Sequence, residues 1–503
     1  MESYLSLIIL VFLPLVAGLF IVLPIFPNHV VKIRRFAKGL AGLHLIYSCI
    51  FLANFDFSQN YNFTQTLPFE LMPQFGITLS FTVDALSCLM CVLTSFIFFV
   101  ALVASKTIIQ SRQKVFYSLM LLLETAILGI FCAKDLLMFF LFWQAALIPA
   151  YFLISLWGGV KAKKAAMKFL LYVFGGSIFM FAAIAFLYAY YYNYLNAALD
   201  IPTLLAGASS LPDVVQFICF LAFLLAFAVQ LPIFPLHNWL ADAHTEAPAP
   251  VSMVLAGVLT KTAAYGLIKF NVIAFGSIMG IFAPWLILLG VIGIIWSSCC
   301  AFVQPDMKRM ISLSSIAHMG IILIGICSMT KLGLVGSIFH IAAHGLIITG
   351  LFFGAEMIYQ RYKTYKTELL GGVALCMPYL AITMLVLCLA CSGVPLTAGF
   401  IGEFMSISGA FATELYSESF IRFCAIAACL CPVLTAAYIL KMYHKVFFYI
   451  SYNLEYKVSG LSRHQASVMF VLAAAVVILG VYPEAITDVV EGFSFNALMQ
   501  YLM

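Results

Sequence analysis

Two carboxylates, two lysines and several histidines stand inside stretches that are otherwise almost wholly apolar. Glu124 sits in the middle of one such run, and Glu403 follows Pro395 by eight residues in another. Lys261 and Lys269 share a third run, with Lys261 near its middle. His318, His340 and His344 occupy two more, and His237 closes a sixth. A charge at the centre of a bilayer costs at least a few kcal/mol, so such groups are paired, neutralised or functional. Imidazole titrates near neutrality, and burial brings acids and amines toward the same range. One buried carboxylate alone is an ordinary structural partner. Glu, Lys and His spread over these runs make the chemistry of an ion or proton path.

Other chemistries are weaker. His340 and His344 are spaced i, i+4 on one helix face, as metal ligands can be. No Glu-x-x-His and no matching cysteine accompanies them, so no metal is expected. His344 reads as a proton relay or an interhelical hydrogen bond, and His340 as structural. Among 14 cysteines, Cys88-x-x-Cys91 and Cys388-x-x-Cys391 have redox spacing. Both pairs lie in apolar runs, where cysteine packs as a small hydrophobe. No Walker loop, GxGxxG fingerprint or iron–sulfur cysteine cluster is present, so no nucleotide, redox cofactor or nucleic acid is expected on this chain. Asp84 and Asp135 open apolar runs and read as helix N-caps.

The elements that must position these residues are membrane helices. Of 503 residues, 64% are hydrophobic and 9% charged, against roughly 25% charged in soluble domains. A hydrocarbon core about 30 Å thick takes about 20 apolar residues per helix. Such runs fill the chain, so the expected fold is all-α and polytopic, one transmembrane domain over 1–503. About 14 spans are predicted near 4–26, 36–55, 80–104, 115–133, 135–157, 166–191, 213–237, 247–272, 279–303, 309–328, 332–359, 372–412, 419–446 and 466–486. The first has no basic residue ahead of it and no clear cleavage site, so it is read as a helix rather than a signal peptide.

Pro232 and Pro235 break the seventh span, and Ser392-Gly393-Val394-Pro395 breaks the twelfth. Proline removes a backbone donor, so both breaks belong where protein or water can satisfy the backbone. Five spans separate them. Two inverted five-helix repeats, about 115–272 and 279–446, flanked by helices 1–3 and 14, would place ion sites at those breaks. Of 25 Lys and Arg, 20 lie in loops after odd-numbered helices and only Lys134, Lys331 and Arg422 after even-numbered ones. The positive-inside rule puts the odd loops in the cytoplasm and both termini on the other side.

Longer motifs carry a resemblance. Gly129-Ile-Phe-Cys-Ala-Lys-Asp135-Leu-Leu-Met-Phe-Phe-Leu-Phe-Trp143 with Leu147-Ile-Pro-Ala-Tyr is one. Others are His237-Asn-Trp-Leu-Ala-Asp-Ala-His244-Thr-Glu-Ala-Pro-Ala-Pro-Val-Ser252, Leu255-Ala-Gly-Val-Leu-Thr-Lys261 and Asp306-Met-Lys-Arg-Met-Ile-Ser-Leu-Ser-Ser-Ile-Ala-His318-Met-Gly320. Over nearly its whole length the chain resembles the antiporter-like membrane subunits of respiratory complex I, NADH:quinone oxidoreductase. Gly402-Glu403-Phe404 resembles subunit M in particular, because the L and N subunits are expected to carry lysine there. The resemblance implies a bacterial inner membrane or an equivalent energy-coupling membrane, with L-like and N-like subunits as neighbours. NADH, FMN, iron–sulfur clusters and quinone would sit in partner subunits and none in this chain. Electron transfer there would drive proton pumping here. Lys261 would be the central relay lysine and Glu403 the exit-side carboxylate. His237, His318 and His344 would line a hydrated axis, and Lys168 matches a lysine usual at the start of span six.

Four positions depart from the family pattern. Gln144 stands where glutamate is expected after Trp143, and Gln230 where lysine is expected two residues before Pro232. These form the family's first ion pair, and both charges are missing together. Losing one member of a buried pair costs about 3–5 kcal/mol, whereas losing both leaves no orphan charge. Ala241 replaces the usual proline after Trp-Leu. Glu124 is an addition, and it lies as far before the turn between spans four and five as Gln144 lies after it. A rise of 1.5 Å per residue puts both about 13 Å deep. Two readings of Glu124 follow: it faces another subunit or is held neutral by a backbone carbonyl, or it is the missing carboxylate moved to the adjacent helix, hydrogen-bonded to Gln144 with Lys261 or a hydrated histidine as cationic partner. Two alternatives accompany the pumping subunit: a homologue in a Mrp-type cation/proton antiporter or membrane-bound hydrogenase, and a non-pumping spacer of the membrane arm.

Overall fold

In a computed structural model the chain is described over residues 6–24, 29–55, 63–72, 77–195, 199–414, 418–449 and 460–491. Among these, twelve helices are long and apolar enough to cross a membrane, and two shorter apolar helices accompany them. The chain is an integral membrane protein. Lys457 and the extreme ends of the chain lie outside the described residues.

The first elements are α1 (Leu7–Val22) and α2 (Val30–Ala53), followed by two strands. The strands correct the all-α expectation. β1 (Phe63–Met72) and β2 (Ile77–Val83) form an antiparallel hairpin, with Phe63 opposite Val83 and Thr66 opposite Ser80. Residues 77–83 alternate apolar and hydroxyl side chains, the period of a half-buried strand. Buried Phe81 packs edge-on against Phe12 of α1, with ring centroids 5.6 Å apart. The third span therefore starts at residue 85, not 80, where the Asp84 side chain accepts from the Ser87 N–H at 2.8 Å.

Next come α3 (Ala85–Ala104), α4 (Gln113–Cys132), α5 (Leu136–Trp157) and α6 (Ala162–Tyr190). Asp135 caps α5 by accepting from the N–H groups of Leu137 and Met138. A short α7 (Ile201–Gly207) leads to α8 (Asp213–Gln230), which stops ahead of Pro232. The chain resumes as α9 (Asn238–Glu246), so His237 opens the helix after the break rather than closing the one before it. The eighth span is irregular. It runs α10 (Ala249–Val254), a π turn at Leu255–Leu259, α11 (Thr260–Gly266) and a π turn at Leu267–Ala274.

α12 (Gly276–Phe302), α13 (Met307–Cys327) and α14 (Lys331–Tyr362) follow. The central stretches of α13 and α14 are wholly buried, so their polar residues face protein. After a single turn at α15 (Val373–Cys376), the twelfth span is split into α16 (Pro378–Cys391) and α17 (Ala398–Phe411). α18 (Glu418–Ala428), α19 (Leu430–Phe447) and α20 (Arg463–Val481) complete the order. The chain divides into two compact units. The first comprises residues 1–231, 258–281 and 489–503, the second residues 232–257 and 282–488.

Candidate functional site

In the first unit Lys261 is fully buried on α11, between the two π turns. A π turn widens the helix by one residue and leaves carbonyls misaligned, and such turns are frequent at functional sites. The Lys261 ammonium lies 3.4 Å from the Thr260 hydroxyl. Gln230, at the end of α8, supports the same stretch. Its amide donates to the Leu259 carbonyl at 2.9 Å and to the Thr262 hydroxyl at 2.7 Å. The Gln230 amide thus holds the backbone two residues before Lys261 and the side chain one residue after it. Gln144 is half-buried and donates to the Ser177 hydroxyl of α6 at 2.7 Å. Lys168 is half-buried near the start of α6.

Glu124 does not partner Gln144. Its carboxylate turns instead to α2, where His44 Nδ1 lies 3.0 Å from Oε1 and both side chains are 0% exposed. α4 packs against α1 and α2 as well as against α5. Adjacency of α4 and α5 in sequence therefore did not decide which way this face of α4 points. His44 also lies 2.8 Å from the Leu10 carbonyl of α1. It is the buried histidine that sequence reasoning passed over, although it carries the same signal as the others, an imidazole in an apolar run.

At one end of α3 the Asp84 carboxylate forms an ion pair with Lys269. Burial works to raise the Asp84 carboxyl, and the Lys269 ammonium outweighs it and holds the group below its ordinary value. The Ser87 hydroxyl and the Tyr265 hydroxyl meet at 2.9 Å beside it. Asp135 goes the other way. Burial lifts its carboxyl above the usual value, against the Tyr188 hydroxyl that donates to it at 2.7 Å.

In the second unit the break of the twelfth span assembles a compact cluster. His318 of α13 presents Nδ1 to Glu403 Oε1 at 3.1 Å and Nε2 to the Cys391 thiol at 3.4 Å. The rings of His340 and His344, both on α14, centre 5.4 and 5.2 Å from that of His318. All are buried, Glu403 being 3% exposed. Ligand atoms of His318, His340 and Glu403 lie within 4.8 Å of one another, near enough to share one proton or one cation. His340, read from sequence as structural, is thus part of the cluster.

Two glycines make the cluster possible. A Cβ on Gly402 would stand 2.6 Å from the His340 Cβ, so its absence lets α17 approach α14. Gly393, in the break, has φ +63°, and a Cβ there would strike Glu403 Oε2. His237 is buried at the start of α9 and stacks on Phe234, with ring centroids 5.4 Å apart.

Residues 133–429 match the family model described as NADH:quinone oxidoreductase/Mrp antiporter, transmembrane. The chain is 37% identical to NAD(P)H-quinone oxidoreductase chain 4 1 of Nostoc sp. over 482 residues, 95% of this chain and 88% of that protein. It is 38% identical to chain 4 2 of Thermosynechococcus vestitus over 445 residues, 87% and 81% of the two. Among solved structures, a chain of respiratory complex I from Thermus thermophilus matches with a TM-score of 0.84 and 27% identity, covering 99% of this chain and all of that one. A chain of the Mrp complex from Dietzia sp. matches with a TM-score of 0.86 over the full length of both, and at 18% identity it shares the fold alone. The chain belongs to the NADH:quinone oxidoreductase/Mrp antiporter family of transmembrane subunits.

Proposed function

We propose that this chain is a proton-translocating membrane-arm subunit of NADH:quinone oxidoreductase, of the subunit M type. Electron transfer from NADH to quinone, through FMN and iron–sulfur clusters in partner subunits, would drive it. L-like and N-like subunits would flank it in the bilayer of a bacterial inner membrane or an equivalent membrane. Counting α1 and the split twelfth span, the chain crosses fourteen times, and two inverted repeats carry the broken helices. The loops after odd-numbered crossings face the cytoplasm and both ends of the chain the opposite side.

Lys261 is the central relay lysine, His237, His318 and His344 line the path, and Glu403 is the carboxylate on the exit side. One observation carries this reading: Glu403 and His318 meet at 3.1 Å, almost wholly buried, beside a helix break. A carboxylate and an imidazole in contact can pass a proton without either leaving the protein, and a broken helix admits the polar surroundings that both require. Substitution tests it. Glu403→Gln removes the titrating group, and proton uptake per electron should fall strongly. Glu403→Asp keeps it and should fall less. Equal, mild losses in both would mean a purely structural carboxylate.

A Mrp-type antiporter or a membrane-bound hydrogenase is the second reading, supported by the family description, which covers Mrp antiporters as well. The polypeptides that co-purify with the chain distinguish these hosts. A non-pumping spacer is favoured by the neutral Gln144 and Gln230, and the Glu403 test addresses it directly.

A further inference from the structure

We propose that His44 and Glu124 form a proton-holding couple in the first unit. On this view it takes the place of the ion pair that Gln144 and Gln230 no longer supply. The inference rests on the proton-translocating reading above.

The Leu10 carbonyl, 2.8 Å from His44 Nε2, can only accept, so Nε2 carries a proton. Nδ1 then faces Glu124 Oε1 at 3.0 Å. A bare nitrogen lone pair against a bare carboxylate oxygen would repel at that distance. The pair therefore holds one proton, as imidazolium with carboxylate or as imidazole with carboxylic acid. Both forms carry the same number of protons and no net charge.

Adding one proton gives imidazolium and carboxylic acid. Losing it again restores the one-proton pair. The second oxygen of Glu124, Oε2, is buried with no hydrogen-bond donor among the described residues, so it is open to the added proton. Each change moves a single proton. His44 lies nine residues before the end of α2 and Glu124 eight before the end of α4. At 1.5 Å per residue both are roughly 12–14 Å from those ends, near mid-membrane.

A tie between α1, α2 and α4 could use the same contacts without moving protons, so the test separates the two roles. His44→Leu with Glu124→Leu removes the couple as a unit, a change that buried pairs commonly tolerate. The complex should assemble, and its proton uptake per electron should fall to the level of Lys261→Ala measured beside it. Adding Gln144→Glu and Gln230→Lys should restore uptake, which a mere tie would not predict. Failure to restore it in an assembled complex overturns the couple as a substitute. Normal uptake by the double Leu variant, with uptake lost in Lys261→Ala, overturns the couple and leaves the relay standing. Normal uptake in both overturns the relay and the couple together. Should the double variant not assemble, infrared difference spectra on proton loading decide. A carboxylic-acid carbonyl band that moves in Glu124→Asp supports the couple, and a spectrum indifferent to that substitution overturns it.

Discussion

At the scale of single residues, Gln230 shows how a buried neutral amide uses both of its donors. Gln230 keeps the reach of a long side chain and spends its amide hydrogens on the Leu259 carbonyl and the Thr262 hydroxyl. Both acceptors lie beside Lys261. Gln230→Lys alone would place a second buried ammonium there with no carboxylate at residue 144, and an unpaired buried charge costs about 3–5 kcal/mol. The purified complex should melt at a lower temperature in Gln230→Lys than in Gln230→Lys with Gln144→Glu. Equal melting would mean that the two positions do not compensate one another. Most of the candidate residues were legible as polar interruptions of apolar runs. Glu124 was legible too, but its partner was not. Sequence distance from a turn reports depth in the membrane, whereas the azimuth of a helix depends on all the helices packed around it. That is why Glu124 meets His44 rather than Gln144.

At the scale of elements, apolar length and proline marked most of the spans and both breaks. The hairpin Phe63–Val83 was absorbed into loop and helix, although residues 77–83 alternate as a strand does and Asp84 offered a cap one residue later. The π turns around Lys261 left no trace in residue type. The break at Gly393 is the clearest case of an element serving a site. Its φ of +63° suits glycine, and the missing Cβ leaves room for the Glu403 carboxylate. Gly393→Ala would add about 1–2 kcal/mol of left-handed strain, besides displacing Glu403. Lower thermal stability together with reduced proton uptake is the expected result, read from melting of the complex and from vesicle acidification. Reduced stability with normal uptake would separate the break from the function of Glu403.

At the scale of the molecule, two compact units each hold buried titratable groups. Lys261 and the His44–Glu124 pair belong to the first, and the His318–Glu403 cluster with His340 and His344 belongs to the second. Proton passage through Lys261 is decided by proton uptake per electron transferred to quinone, in vesicles carrying the assembled complex with Lys261→Ala. The complex should assemble, and the protons carried by this chain should be lost from the ratio. An unchanged ratio would contradict it.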